Sequence, residues 1–175
     1  MKFTGLNTDT WGFFKMRIRP ATLDDFEEAY SLGKNTPELK VSSTEEFMDR
    51  DDFQQRIGDP LHVFLIAEQK KRIIGFICAN TKDLDSPLQN KYACLVYLVT
   101  LPKFRRQGVA KKLYIECERQ LRKRGITHFY GWANAEGEGA IIKFMKKQNF
   151  TEGHKYVWMD KKIIKKRTIK IRKII

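Results

Sequence analysis

One 19-residue segment constrains the fold of this chain more than any other. In LVYLVTLPKFRRQGVAKKL, residues 95–113, a continuous apolar run rich in β-branched side chains ends at Pro102. An arginine-rich loop then leads directly into a sequence with helical periodicity. Such a pattern is typical of a buried strand followed by a loop and an amphipathic helix. We expect the helix to run from Gly108 to Arg124, with Gly125 ending it. Its apolar face carries Ala110, Leu113, Cys117 and Leu121.

The loop before this helix has the properties of an anion-binding site. Successive backbone N–H groups at a helix start point the same way, and the helix adds roughly half a positive charge there. Gly108 allows close approach to the backbone because it has no Cβ. Arg105, Arg106 and Lys111 add side-chain charge. The segment therefore predicts a pyrophosphate site, without the motifs of nucleotide-hydrolysing or dinucleotide-binding loops.

The remaining periodicity predicts an α/β domain with a mixed sheet. The predicted strands cover residues 16–22, 63–67, 73–79, 93–100, 127–133 and 156–159, with a charged turn over 68–72. Thr22 and Asp25 resemble the N-cap of a first helix. A second helix is predicted from Ser43 through Phe53, and a last one at 141–148. The resulting order β-α-α-β-β-β-α-β-α-β is that of an α/β fold.

Length and charge divide the chain into three parts. Its 175 residues suit one domain, which we place at residues 16–160, after an N-terminal arm at 1–15. The net charge is +13, and the tail at residues 161–175 holds eight Lys or Arg and no acid. This tail suits contact with nucleic acid or an anionic membrane, or else it is a lysine-rich extension of the last strand. It has no aromatic residue, which argues against base stacking there.

Several classes of protein are excluded by pattern. The apolar runs are far shorter than the roughly 20 residues of a membrane span, and the N-terminus has no apolar signal region. Cys78, Cys94 and Cys117 have no metal-binding spacing and no even pairing. The three histidines form no zinc motif. We therefore predict a cytoplasmic protein with reduced thiols, no transmembrane segment and no metal site.

The motif R-x-x-G-x-A at Arg105, Gly108 and Ala110, in its strand and helix context, resembles the GNAT acetyltransferase superfamily. Three further segments match in the family's order: I-R-P-A-T at the start of the domain, A-E-x-x-x-x-I-I-G-F-I at 67–77, and A-I-I-K-F-M-K-K-Q-N-F at 140–150. The resemblance implies a mixed, mostly antiparallel central sheet flanked by helices. A generic anion-binding α/β domain is the alternative.

The resemblance also implies acetyl-CoA as co-substrate and an N-acetyltransferase acting on a primary amine of a protein or small molecule. Cofactor-binding residues carried over from the family comprise a loop set and a strand set. The loop set is Arg105, Arg106, Gln107, Gly108, Val109, Ala110 and Lys111, with Asn134 nearby. In the strand set, Leu98, Val99 and Thr100 pair with pantetheine, and an N–H near Val99 polarises the thioester carbonyl.

The catalytic acid and base are less well defined. Residues 93–100 contain no acid, and the tyrosine that the family often places in the distal helix is replaced by Phe144 or Met145. Tyr97 and Tyr156 are the candidate catalytic residues, although each also suits a packing role. Acidic residues of the second helix either attract a cationic amine or form a solvated face. These departures leave a second function open, a catalytically weak acyl-CoA-binding module that docks on nucleic acid through its tail.

Overall fold

A computed structural model of the chain describes residues 16–40, 47–82, 89–134 and 139–155, together with Val157, Met159 and Lys161. The described residues form five strands and four α-helices. In chain order these are β1 (Arg17–Pro20), α1 (Phe26–Lys34), α2 (Arg50–Gln55), β2 (His62–Gln69), β3 (Arg72–Lys82), β4 (Tyr92–Thr100), α3 (Val109–Lys123), β5 (His128–Gly131) and α4 (Ala140–Lys147). Short 3-10 turns lie at Leu23–Asp25, Pro37–Leu39 and Pro102–Phe104.

The sheet has the strand order β1-β2-β3-β4-β5, so neighbours in sequence are neighbours in space. The first three pairings are antiparallel and the pairing of β4 with β5 is parallel. A parallel pair needs a crossover, and α3 supplies it. The predicted mixed, mostly antiparallel sheet flanked by helices is confirmed.

The turn between β2 and β3 is shorter than the sequence predicts. Gln69 pairs with Arg72, which leaves only Lys70 and Lys71 between the strands. Both have left-handed backbone angles, with φ of 52° and 60°. Two such residues match the twist of the flanking strands, so the ladder continues into the charged segment. The predicted five-residue turn at 68–72 is therefore wrong.

The second helix and the closing strand also differ from the predictions. α2 begins at Arg50, where the Asp49 side chain accepts the Asp51 N–H at 2.8 Å. The predicted start at Ser43 is therefore too early, since residues 47–49 are not helical. Residues 41–46 lie outside the described residues. The predicted closing strand at 156–159 lies partly outside them, and Val157 and Met159 belong to no strand.

The sheet separates two apolar layers. On one face α3 packs through Leu113, Cys117 and Leu121, which are 0%, 0% and 2% exposed, as their spacing predicts. α4 lies on this face too, since Phe144 meets the ring of Tyr114 on α3 at 5.9 Å. On the other face α1 and α2 enclose a cluster of aromatic rings. The cluster contains Phe26, Tyr30, Phe47, Phe53, Phe64, Phe76 and Tyr97.

A charged network fixes the start of α1 against the edge of the sheet. The Arg19 guanidinium donates to Asp25 Oδ2 at 2.6 Å and to Glu68 Oε2 at 2.8 Å. Asp25 also accepts the Thr22 N–H at 2.8 Å, which confirms the predicted cap. Arg19 is the main cause that holds the pKa of Asp25 below its usual range. The network links β1, β2 and the first helix.

Candidate functional site

Half of β4 has an open edge. Its pairing with β5 covers Tyr92 to Leu95 and ends at the pair Leu95–Gly131. At the same point the register with β3 shifts, leaving Val96 as a bulge between the pairs Ala79–Leu95 and Cys78–Tyr97. Within the part of the chain that the structure describes, residues 96–100 therefore have a strand beside them on the β3 side only. Unpaired strand amides are available to a ligand that lies along such an edge.

The alternation of hydrogen bonds along β4 decides which backbone groups point away from β3, into the gap beside the open edge. The Leu101 N–H donates to the Ile74 carbonyl at 2.9 Å, so it faces β3. The Val99 carbonyl faces β3 as well, since a Cβ built at Gly75 would lie 2.6 Å from it. Alternate residues of a strand face the same edge. The backbone N–H and C=O groups of Leu98 and Thr100 therefore point to the open edge, whereas the Val99 N–H points to β3.

The side chain of Thr100 is a second feature of the open edge. Its Oγ1 is inaccessible to solvent and has no hydrogen-bond partner among the described residues. Leu98, two residues earlier, packs in the apolar layer of α3, and alternation places the Thr100 side chain on that same face. Buried hydroxyls nearly always have a partner. The Thr100 hydroxyl, which can both donate and accept a hydrogen bond, lies at the end of the open edge, beside the loop that begins at Arg105.

The 105–108 loop and the first turn of α3 form an amide-rich site. Arg106 and Gly108 have left-handed angles, with φ of 62° and 83°. The Lys112 N–H makes the first bond into the helix, to the Gly108 carbonyl at 3.0 Å. The N–H groups of Val109, Ala110 and Lys111 therefore have no acceptor within the helix. A left-handed non-glycine residue such as Arg106 costs about 1–3 kcal/mol, as is common at binding sites.

The predicted loop residues differ in what they can offer a ligand. Arg105, Arg106, Gln107, Gly108 and Lys111 are exposed. No atom lies within 4 Å of a Cβ built at Gly108, so the space in front of it is open. The Val109 side chain is only 3% exposed and packs in the core, which leaves its N–H as the group that a ligand can reach.

A carboxylate that the sequence analysis missed lies beside this loop. Glu38, in the turn after α1, accepts a hydrogen bond from Arg105 Nη1 at 2.7 Å. Arg105 also approaches the Thr100 carbonyl with Nε at 3.4 Å. The Arg105 hydrogen bond is the main reason that the pKa of Glu38 is lowered, so the carboxyl is ionised at neutral pH. Because Glu38 and Arg105 are 67 residues apart, no local pattern indicates the contact.

The far side of the gap is formed by the end of β5, residues 132–134 and α4. Asn134 is exposed in this segment. A Cβ at Gly131 would lie 3.0 Å from Leu95 Cβ and 3.4 Å from Met145 Cε, so α4 contacts the sheet closely here. Met145 is 7% exposed, and Phe144 packs on Tyr114. Neither Phe144 nor Met145 carries a proton donor.

The structure describes only one of the two candidate catalytic tyrosines. Tyr97 is half-buried on the α1 and α2 face. The centroid of its ring lies 5.2 Å from that of Phe47 and 6.5 Å from that of Phe76. Tyr97 follows the bulge directly, at the inner end of the open edge. Tyr156 lies outside the described residues, as do the arm at 1–15 and residues 162–175 of the basic tail. The predicted nucleic-acid contact of the tail therefore stays a prediction.

The thiols do not form a nucleophilic site. All three cysteines are free. Burial raises the pKa of Cys78 and of Cys117 to about 12, and it also raises the pKa of Cys94. A protonated thiol is a poor nucleophile. Among the described residues no group of His, Cys, Asp or Glu is arranged to hold a metal ion. No helix within these ranges is long and apolar enough to cross a membrane.

Residues 21–150 match the family model described as "Acetyltransferase (GNAT) family". This chain belongs to the GNAT acetyltransferase family. The match includes β4, the 105–108 loop, α3 and α4. No curated protein sequence matches the chain.

Solved structures share the fold of this GNAT protein at low identity. An aminoglycoside acetyltransferase from an uncultured soil metagenomic sample, in complex with sisomicin, has a TM-score of 0.67 at 16% identity, covering 85% of this chain and 97% of its own. The aminoglycoside 6′-N-acetyltransferase of Acinetobacter haemolyticus has a TM-score of 0.65 at 22% identity, with coverages of 85% and 100%. A transcriptional regulator from Bacillus halodurans has a TM-score of 0.68 at 17% identity, with coverages of 83% and 99%. These likenesses establish the fold.

The family assignment confirms acetyl-CoA as the co-substrate that the sequence predicts. The residues present fit such a ligand. The amides of the first turn of α3 suit a pyrophosphate, and the outward groups of Leu98 and Thr100 suit the amides of pantetheine. The buried Thr100 Oγ1 without a partner among the described residues is the kind of group that a bound ligand completes.

Proposed function

We propose that this protein is an N-acetyltransferase that moves the acetyl group of acetyl-CoA to a primary amine. The observation that carries the proposal is the continuity of the open β4 edge with the amide-rich start of α3. An extended ligand with an anionic end and an amide-bearing arm matches both parts in one orientation. Few other metabolites combine these two features, whereas a simple anion would need only the loop.

In this proposal the N–H groups of Val109, Ala110 and Lys111 bind the pyrophosphate, helped by the N-terminal end of the helix dipole. Gly108 lets the phosphates approach the backbone, and the side chains of Arg106 and Lys111 add charge. The pantetheine arm lies along β4 and pairs with Leu98 and Thr100. This binding mode directs the thioester toward the bulge at Val96, where β4 and β5 separate.

The chemistry there is direct attack of a neutral amine on the thioester carbonyl carbon. The outward N–H of Leu98 is the donor that we propose for the developing oxyanion, in place of the Val99 N–H. Collapse of the tetrahedral intermediate breaks the C–S bond and releases the CoA thiolate, and the amine nitrogen gives up one proton to solvent water. Tyr97 remains our candidate for returning a proton to that thiolate, with Tyr156 as the alternative.

Release of free CoA thiol tests the proposal. The purified chain is mixed with acetyl-CoA and a panel of primary amines, and the thiol is measured with a chromogenic disulfide. We expect amine-dependent release for at least one amine, together with an acetylated product of the expected mass. Tight binding of acetyl-CoA without any release across the panel would instead favour the acyl-CoA-binding module.

A tyrosine-to-phenylalanine pair separates the two proton-donor candidates. If Tyr97 protonates the thiolate, Tyr97→Phe lowers kcat by about 10²–10⁴-fold with little change in the KM for acetyl-CoA. Tyr156→Phe then has a small effect. The reverse pattern assigns the role to Tyr156, and full activity of both variants removes both tyrosines from the mechanism.

The compartment that we propose is the cytosol. Three free thiols, two of them fully buried, suit a reducing environment. Acetyl-CoA is a substrate of intracellular chemistry, which agrees with this location.

A further inference from the structure

We propose that the acceptor amine is carried next to an aromatic or apolar group, and that Tyr130 and Trp132 form the surface against which this group packs. The proposal rests on the N-acetyltransferase function argued above. It concerns the end of β5, where Tyr130 lies on the face of the sheet opposite α3 and α4 and Trp132 follows in the chain.

Two contacts fix the direction of the side chains on β5. The Phe129 ring stacks on Tyr114 of α3 at 6.0 Å with an interplanar angle of 18°, so Phe129 lies on the α3 face. Gly131 faces α4, as its closeness to Met145 Cε establishes. Because side chains alternate along a strand, Tyr130 points to the opposite face. Cys94, its register partner on β4, lies on that same face, because its neighbours Ala93 and Leu95 pack in the α3 layer.

Tyr130 and Trp132 lie where the open edge begins. The pair Cys94–Tyr130 is one position before the last β4–β5 pair, and Trp132 is the first residue beyond β5. Tyr130 is 36% exposed and Trp132 is 72% exposed. Since α3 and α4 border the proposed acetyl-CoA site on one face, an amine that reaches the thioester from the other face passes these rings.

The charge of the surrounding strands selects the kind of amine. β4, β5 and residues 132–134 contain no Asp or Glu. A polycationic acceptor gains from carboxylates that complement its charge, and these elements provide none, whereas the acidic side chains Asp51 and Asp52 belong to α2. Aromatic faces attract a single ammonium group through their quadrupole and bury apolar carbon equally well. A monoamine on an apolar carrier therefore matches this surface better than a polycationic one.

The test compares two small amines and two variants in the full chain. The probes are phenethylamine, which joins an amine to a ring, and ethanolamine, which lacks the apolar group. We expect the enzyme to show a KM for phenethylamine at least about tenfold lower than its KM for ethanolamine. Trp132→Ala should remove most of this difference by raising the KM for phenethylamine about tenfold, with a much smaller change in the KM for ethanolamine.

Tyr92→Ala is the matched control. Tyr92 is 42% exposed and shares this face, but it lies at the start of β4, away from the open edge, with its ring 4.9 Å from that of His128. Its removal should leave the preference between the two amines intact. Melting temperatures of both variants check that each is folded.

Three results would overturn the inference. Equal KM values for the two amines, a preference for an aminoglycoside such as kanamycin, or an unchanged preference in Trp132→Ala would each contradict it while leaving the N-acetyltransferase function standing. Absence of CoA release with every amine would contradict the proposed function itself, and the inference with it.

Discussion

Gly75 on β3 lies so close to Val99 on β4 that a Cβ at Gly75 would be 2.6 Å from the Val99 carbonyl oxygen. The same Cβ would be 3.1 Å from Val109 Cγ1, at the start of α3. One glycine therefore sets two distances in the site. Because it has no side chain, the first turn of α3 packs directly on the sheet. The close β3–β4 pairing is also preserved, and with it the outward direction of the backbone N–H and C=O groups of Leu98 and Thr100.

The first prediction concerns this glycine. Gly75→Ala should lower the free energy of unfolding by about 1–3 kcal/mol, because the nearest atom belongs to the backbone and cannot rotate away. Acetyl-CoA affinity should fall with it, as the helix start moves off the sheet. Gly153→Ala is the control, since nothing lies within 4 Å of a Cβ there. Urea unfolding checks both variants, and equal midpoints would contradict the prediction.

The second prediction separates binding from stability at Thr100. Thr100→Val removes a buried hydroxyl that has no partner among the described residues and keeps the shape of the side chain. Without ligand, stability should stay equal or rise, because an unpaired polar group leaves the interior. Acetyl-CoA should bind about 3- to 10-fold more weakly if the hydroxyl bonds the ligand. Calorimetry and thermal melts measure the two effects, and unchanged affinity removes Thr100 Oγ1 from the site.

The third prediction concerns Glu38. Glu38→Gln removes a negative charge from beside Arg105, so the anionic cofactor should bind up to about fivefold more tightly at low salt. The gain should disappear at high salt because the pair is exposed. Glu27→Gln makes the same charge change on α1, where Glu27 pairs with Arg50 far along the chain from the loop. Weaker binding in Glu38→Gln would instead mean that Glu38 holds Arg105 in its binding position.

The fourth prediction is a pH dependence centred on His62. Its Nδ1 lies 2.9 Å from Asp59 Oδ2 and its Nε2 lies 3.3 Å from Arg56 Nη1. A neutral ring that donates to Asp59 and accepts from Arg56 satisfies both contacts. Burial, followed by the charge of Arg56, lowers the pKa of His62. The unfolded chain therefore binds the proton more readily, and stability is lost as the pH falls through the ordinary histidine value.

Melting temperatures at about pH 7.5 and about pH 5 measure this effect. The wild-type chain should lose stability over this interval, and His62→Gln should lose less of it, although it starts from a lower value. A variant whose melting temperature falls as steeply as that of the wild type would contradict the role of His62.

Local pattern was sufficient to predict the strand, loop and helix around residues 95–124. The apolar run, Pro102, Gly108 and Gly125 act within a few residues, so each signal is read directly from the sequence. The two-lysine turn was missed because neither Lys70 nor Lys71 is a residue type that favours left-handed angles.

Local pattern alone could not predict features that depend on distant pairing. The open edge exists because β5 pairs with only four residues of β4, and nothing within β4 itself marks that limit. The bulge at Val96 likewise lies inside an unbroken apolar run. The Glu38–Arg105 contact and the direction of the Val99 amide depend on the register of other elements. The site was thus predictable as a location, whereas its outward-facing groups were not.

The central claim is that the start of α3 binds the pyrophosphate of acetyl-CoA, and two glycines of one helix test it most directly. Gly108 and Gly125 flank α3 with φ of 83° and 75°, and nothing lies within 4 Å of a Cβ at either. Alanine at either position therefore costs a similar backbone strain of about 1 kcal/mol. Only the methyl group at position 108 would stand in the proposed site.

Isothermal titration of acetyl-CoA into the wild type and the two variants is the decisive measurement. We expect binding by the wild type, at least about tenfold weaker binding by Gly108→Ala, and affinity within about twofold of the wild type for Gly125→Ala. Equal affinities in the two variants, or no binding by the wild type, would contradict the central claim.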